Sequence, residues 1–263
     1  MEISWIRRAW VATLGLLYLT STPAESPDPI RLVAAAGSAD TVVAEVILRE
    51  AYSRLGYRLE VTRYPAERAI RMANQGRFDG DVQRIDGISE TYPNLVKVQP
   101  SINHIEGGVF AARDDLRIDS WEDMQPYRCG IIRGIKFAEL RTEGMDRYIV
   151  GGYNRLFTML THERFDLAVS PLLSGAYNLK RGGFQGIEPA GPALERFELY
   201  HYLHRDNADL RLRIAAELSR MRDNGELTVI RDEVVQEIMR RAEEGLDLCD
   251  GELECFALPS AEG

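Results

Sequence analysis

Two arginines sit where an anion could be held. Arg84 and Arg133 each follow a strand-like run, at residues 78–83 and 127–132, and Arg133 is followed at once by Gly134. A guanidinium can grip a carboxylate or phosphate through two parallel hydrogen bonds. Glycine beside a helix start lets an anion approach backbone N–H groups. The competing roles are an ion pair with Asp81 or Asp86 for Arg84, and an exposed turn for Arg133. Lys136 reads as part of a solvated helix face. Ser38, just after Gly37, can touch a ligand but is favoured as a helix cap. Tyr64, before Pro65, offers an aromatic wall or core packing. Arg68 can reach the same place. Its neighbour Glu67 suits a local ion pair and the helix dipole. Tyr153 and Asn154 begin a short helix, where Asn is a good cap. Ser170 ends a strand and can donate a hydrogen bond. The ligand-binding candidates are therefore Ser38, Tyr64, Arg68, Arg84, Arg133, Asn154 and Ser170.

Other chemistry finds little support. His201 and His204 are three apart in a strand-like run, which puts them on opposite faces. There is no zinc or calcium spacing, no phosphate-binding Gly-Lys-Ser/Thr loop and no Gly-x-Ser-x-Gly elbow. No metal or cofactor is expected. Cys129 lies inside a strand-like run and reads as a buried thiol acting as a small hydrophobe.

The elements that position these residues alternate. A buried strand at 30–36 leads into a helix with apolar residues Val43, Val46, Ile47, Ala51 and Leu55, stopped by Gly56. A strand at 57–63, a helix opened by Pro65 and stopped at Gly76, and a strand at 78–83 follow. Strand-like runs at 95–99 and 108–112 come next, then a helix-start pattern within 114–125. The alternation then repeats: strand 127–132, helix 134–142, strand 146–150, helix 154–162, strand 165–169. A strand at 197–203 and two helices, 208–222 and 227–242, close the chain. Strand–helix alternation implies parallel sheet with covering helices.

The 263 residues carry 32 Lys plus Arg against 41 Asp plus Glu, a formal net charge of -9. That balance argues against a nucleic-acid partner, which requires a basic surface. The hydrophobic fraction of 45% and charged fraction of 28% are those of an ordinary globular protein. The N-terminus reads as a signal peptide over residues 1–24: Arg7 and Arg8, an apolar core at 9–19, then small residues ending at Ala24. Export makes a disulfide between Cys249 and Cys255 feasible.

Several stretches together resemble bacterial extracellular solute-binding proteins of family 3, the amino-acid-type periplasmic binding proteins. They are Gly56-Tyr57-Arg58-Leu59-Glu60-Val61; Pro65-Ala66-Glu67-Arg68-Ala69 followed by Asn74 to Gly80; Tyr92-Pro93-Asn94-Leu95-Val96; Ile118 to Met124; Phe165-Asp166-Leu167-Ala168-Val169; and Met221 to Leu227. The resemblance covers nearly all of the chain after the leader. It implies a two-lobe α/β fold of the type-II periplasmic-binding-protein kind, each lobe a mainly parallel sheet covered by helices, with ligand in the cleft between. The expected organisation is lobe 1 at 25–112, lobe 2 at 113–199, a return to lobe 1 at 200–244, and a tail at 245–263.

Two anchors of the amino-acid binders are missing from their usual places. The stretch Ile85 to Thr91 lacks the Arg of the family's Thr-x-x-Arg element, and Ser170 stands where an acidic residue holds the ligand's amino group. The expectation is a monomeric periplasmic protein that captures a small polar, carboxylate-bearing solute for an inner-membrane ABC permease. A ligand sensor that regulates a membrane partner is the alternative. Less favoured is a dehydratase-like enzyme using Glu67 and Asp81.

Overall fold

The computed structural model describes residues 28–248. The signal-peptide segment, Cys249 and Cys255 lie outside the described residues.

The first strands are short, and the central one is apolar enough to be covered on both faces. β1 (Ile30–Ala35), β2 (Leu59–Tyr64) and β3 (Gly80–Ile85) are parallel, with β1 in the middle. Alternate β1 residues enter opposite cores. Leu32 and Ala34 pack with α1 (Ala39–Arg54), while Val33 packs with α2 (Ala66–Asn74). The C-terminal helices α6 (Ala208–Asp223) and α7 (Glu226–Glu243) return to the α1 side and bury Ile214, Leu218, Met221, Val234 and Ile238.

A second parallel set is built alike. β6 (Cys129–Ile132) lies between β7 (Arg147–Val150) and β8 (Leu167–Pro171). α3 (Lys136–Arg141) covers one face, where Phe137 packs with Ile131 and Val169. α4 (Tyr153–Thr161) covers the other, where Phe157 packs with Phe110 and Ala168. Cys129 is a fully buried free thiol, which burial pushes up to about 12.

Two long antiparallel strands join the sets. β5 (Asn103–Ala111) and β10 (Glu195–His204) pair with each other over Asn103–Gly107 and Glu195–Leu199. β10 continues alongside β3, and β5 continues alongside β8. The result is one sheet in the order β2-β1-β3-β10-β5-β8-β6-β7, rather than two separate sheets. β4 (Leu95–Lys97) pairs off β10 and the two-residue β9 (Glu188–Pro189) pairs off β5. The expected strand at 108–112 is thus the far end of a nine-residue crossover.

Two other expectations are corrected. The helix-start pattern within 114–125 makes only a 3-10 turn, Glu122–Met124, because Pro126 follows at once. A helix that the sequence pattern does not predict, α5 (Leu172–Arg181), follows β8 directly. It packs against α1 and α7 of the first lobe, and Tyr177 donates to the Leu246 carbonyl at 3.2 Å. No helix among the described residues is long and apolar enough to cross a membrane.

Candidate functional site

The carboxyl ends of β1, β3, β6 and β8 face a common cleft, as open α/β sheets arrange it. The cleft encloses about 530 Å³. The first lobe lines it with Ala35–Ser38, Asp40 and Thr41 of the β1–α1 turn, Pro65 and Ala66, and Gln83 and Arg84. The second lobe lines it with Ile132, Gly134–Phe137, Gly151–Arg155 and Pro171, and α5 adds Asn178. Ile105 and Leu199 of the crossover strands form part of the wall.

The two lobes touch closely. Gly134 has φ +87°, and a Cβ there would lie 2.4 Å from the Glu67 nitrogen, so only glycine fits this approach. Lys136 Nζ reaches Glu67 Oε2 at 2.7 Å across the cleft and Glu139 Oε2 at 2.9 Å within its own helix. Burial works against the lysine's charge, but the two carboxylates outweigh it and hold the ammonium above its ordinary range. Lys136 is therefore not on a solvated face: it lines the cleft and ties the lobes together. Asn178 Nδ2 donates to the Gly37 carbonyl at 2.9 Å, and the Tyr153 ring lies against Gly37.

Arg84 combines both roles weighed for it. It lines the cleft at 7% exposure and pairs with the buried Asp81, Nη2 to Oδ2 at 2.7 Å, while Nη2 also donates to the Ala66 carbonyl at 3.2 Å. Burial raises the Asp81 carboxyl despite the pair. Nη1 has no protein acceptor among the described residues.

Ser38 caps α1, its hydroxyl accepting from the Thr41 N–H at 3.3 Å, and it also lines the cleft. Asn154 lines the cleft but does not cap α4. Gly152 holds the N-cap position and offers no side chain, which leaves the helix start open toward the cleft. The remaining candidates lie elsewhere. The Tyr64 ring stacks under the Arg68 guanidinium at 4.8 Å, and neither residue is among the cleft lining. Ser170 is fully buried and donates to the Pro171 carbonyl at 3.1 Å. Arg133 is exposed and lines a separate groove with Tyr148 and Met159, because the left-handed Gly134 turns the chain between it and the cleft.

Asp40, Gln83, Arg155 and Asn178 line the cleft without being singled out by the sequence pattern. For Asp40 the signal is slight, since an acid in the first turn of a helix is ordinary. Its surroundings are not. At 3% exposure, it receives the Ser174 hydroxyl at 2.5 Å on Oδ2, and burial pushes its carboxyl up to about 6. Nearby, the buried Tyr153 hydroxyl makes no hydrogen bond, although Ser170 and Ser174 are close to it.

His201 and His204 do not combine. The buried His201 ring bonds Tyr52 Oη at 2.8 Å and the Asp81 carbonyl at 2.9 Å, and His204 faces Asp206. Among the described residues no group of three or more His, Cys, Asp or Glu could hold a metal ion.

No protein-family model matches the sequence. A protein of Shewanella oneidensis described as uncharacterized is 25% identical over 190 residues, 69% of this chain and 72% of that protein. The fold is similar to a histidine kinase sensor domain with similarity to periplasmic binding proteins, at TM-score 0.65 and 18% identity over 78% of this chain and 96% of that one. It is equally similar to an ancestral arginine-binding protein bound to arginine, at TM-score 0.65 and 15% identity over 80% and 99% of the two chains. At these identities the likeness is one of fold. The chain has the type-II periplasmic-binding-protein fold: two α/β lobes, a cleft between them and a mixed sheet running through both.

Proposed function

We propose that this chain is a periplasmic solute-binding protein that captures a small polar, carboxylate-bearing solute in the interlobe cleft and delivers it to an ABC-type importer. The observation that carries the reading is the donor set of the lining: Arg155, which has no ion pair among the described residues, facing Arg84 across the cleft. Arg84 Nη1 and the open start of α4 supply donors, and both suit a carboxylate. A cleft of this size fits a small metabolite. Capture needs no turnover. Glu67 and Asp81, the two acids that a dehydratase would use, are engaged by Lys136 and Arg84 and do not line the cleft.

A sensor reading is favoured by one observation, the equal structural likeness to a histidine kinase sensor domain. The two readings share the ligand step and differ in the partner. Thermal melts of the chain from Glu25 onward test the shared step, against small carboxylates, amino acids, short peptides and polyamines. A ligand at a hundred times its Kd stabilises by about 2.7 kcal/mol, or roughly 5–10 °C for a chain of this size. A shift from a carboxylate, weakened in Arg155→Ala, supports capture. No shift with any compound, in folded and ligand-free protein, removes it. Binding of the loaded protein to its membrane partner then separates import from sensing.

A further inference from the structure

The cleft does not end at α4. Gly151 and Arg155, which line it, also line a second groove of about 400 Å³ between β7 and α4. The walls of that groove include Arg133, Tyr148, Ile149 and Met159. Two glycines form the join. A Cβ at Gly151 or Gly152 would meet nothing within 4 Å, so the passage between the two spaces is open there.

The groove combines an apolar wall with unanswered positive charge. β7 is the last strand of the sheet, and its adjacent Tyr148 and Ile149 are 39% and 40% exposed. The Tyr148 ring lies 6.0 Å from the buried Phe165 ring, centroid to centroid, which anchors this apolar edge. The Arg133 N–H donates to the Val150 carbonyl at 2.9 Å, fixing its backbone where β6 and β7 end. Neither Arg133 nor Arg155 has an ion pair among the described residues. Among the described residues that line the groove there is no carboxylate, although the chain carries a net charge of -9. The cleft itself is walled by Ile105, Ile132, Phe137 and Leu199. A hydrocarbon segment therefore meets apolar surface in both spaces, and an anion meets a guanidinium in each.

We propose that the site takes an elongated solute with a carboxylate at each end and an apolar middle, and that the β7–α4 groove is its outer half. One carboxylate lies in the cleft toward Arg84. The middle passes over Gly151 and along Tyr148 and Ile149, and the second carboxylate reaches Arg133. This rests on the reading that the cleft captures a carboxylate-bearing solute, and it extends that site to solutes longer than the cleft. Each methylene that settles into the groove leaves water, so affinity rises roughly threefold per methylene along that stretch. The exposed pair with Arg133 adds about fivefold at most and is screened by salt.

The test is calorimetry on the ligand-free protein with α,ω-dicarboxylates of four to twelve carbons and monocarboxylates of the same lengths. The expected result is affinity that rises with length, with long dicarboxylates ahead of the matching monocarboxylates. Arg133→Ala removes an exposed, unpaired side chain and should leave stability unchanged. It is expected to lower long dicarboxylates about fivefold, to the level of the monocarboxylates, and to leave short ones unchanged. In 0.5 M sodium chloride that difference should shrink. Gly151→Leu has room for its side chain and is expected to obstruct the passage, costing long members tenfold or more and sparing short ones. Long and short dicarboxylates that bind alike, or long ones untouched by both variants, would overturn the extension and leave capture in the cleft standing. No binding by any member of either series overturns the extension and counts against carboxylate capture as well.

Discussion

The two lobes bring opposite kinds of chemistry to the cleft. The first lobe contributes side chains that are almost wholly buried: Asp40 at 3%, Arg84 at 7% and Gln83 at 8% exposure. The second contributes glycine backbone, the open start of α4, and the solvent-facing Asn154 and Arg155. Buried polar groups are locked by their partners and keep their geometry without ligand. Exposed ones cost little to reorient. Under the proposed capture role, the contrast makes the first lobe the half that dictates which charges a solute must carry, while the second lobe covers it with adaptable donors.

The largest effect expected from this contrast lies in a pair of arginine deletions. Arg84→Ala leaves Asp81 buried without its partner and should cost about 3–5 kcal/mol, a drop in Tm of roughly 10 °C for this size. Arg155→Ala should cost under about 0.5 kcal/mol, since Arg155 has no ion pair among the described residues. Equal costs in urea unfolding would break the contrast. In the double variant Arg84→Met with Asp81→Asn, most of the loss should return, because no charge is then stranded.

Acid titration sharpens the same point from inside the first lobe. His201 is held neutral by burial, lowered from 6.5 to about 4. The unfolded state therefore takes up a proton that the folded state refuses, and about 3 kcal/mol is lost as pH falls from 6.5 to 4. Asp40 has the opposite sign. Raised from 3.8 to about 6, it binds its proton more readily in the folded state. It contributes about 3 kcal/mol that is fully present below pH 3.8 and lost as pH rises through 6. The two nearly offset in one window. Asp40→Asn should thus make stability fall about 3 kcal/mol more than in the wild type between pH 7 and 4, read by urea melts. An identical pH profile in the variant would show that the carboxyl is solvated rather than buried.

The smallest effect concerns where the lobes meet. A side chain at Gly134 collides with the start of α2 and must also adopt φ +87°. Gly134→Ala should cost about 1–3 kcal/mol and hold the lobes apart, seen as a larger radius of gyration in solution scattering. An unchanged radius would mean that the second lobe yields without opening.

Most of the element order is legible in local residue types. Ser38 before a run at helical spacing, Pro65 at a helix start, and Gly56 and Gly76 at helix ends are local signals, and α1 and α2 lie where they point. α5 is not legible in this way, although Pro171 precedes it and Gly182-Gly183 follows. Its buried face places Ser174 and Gly175 beside Tyr177 and Leu179, so half of it is not apolar in residue type, and it packs on α1 and α7. At the site, Arg84 is recognisable from its strand end. Arg133 and Lys136 exchange the places expected of them: three residues apart, they are separated by a left-handed glycine that turns one outward and the other into the cleft.

What the sequence by itself determined is therefore the periodic, short-range part: alternating strands and helices, their caps and stops, and a two-lobed α/β fold. These follow from interactions within a few residues, which local residue types record. The tertiary structure alone decided which polar groups face the cavity and which find partners. Asp40 looks like any first-turn acid until α5, reached more than a hundred residues later, closes over it with Ser174. Burial and pairing are sums over distant neighbours, so no local pattern announces that this one carboxylate is enclosed beneath α5 at the cleft wall.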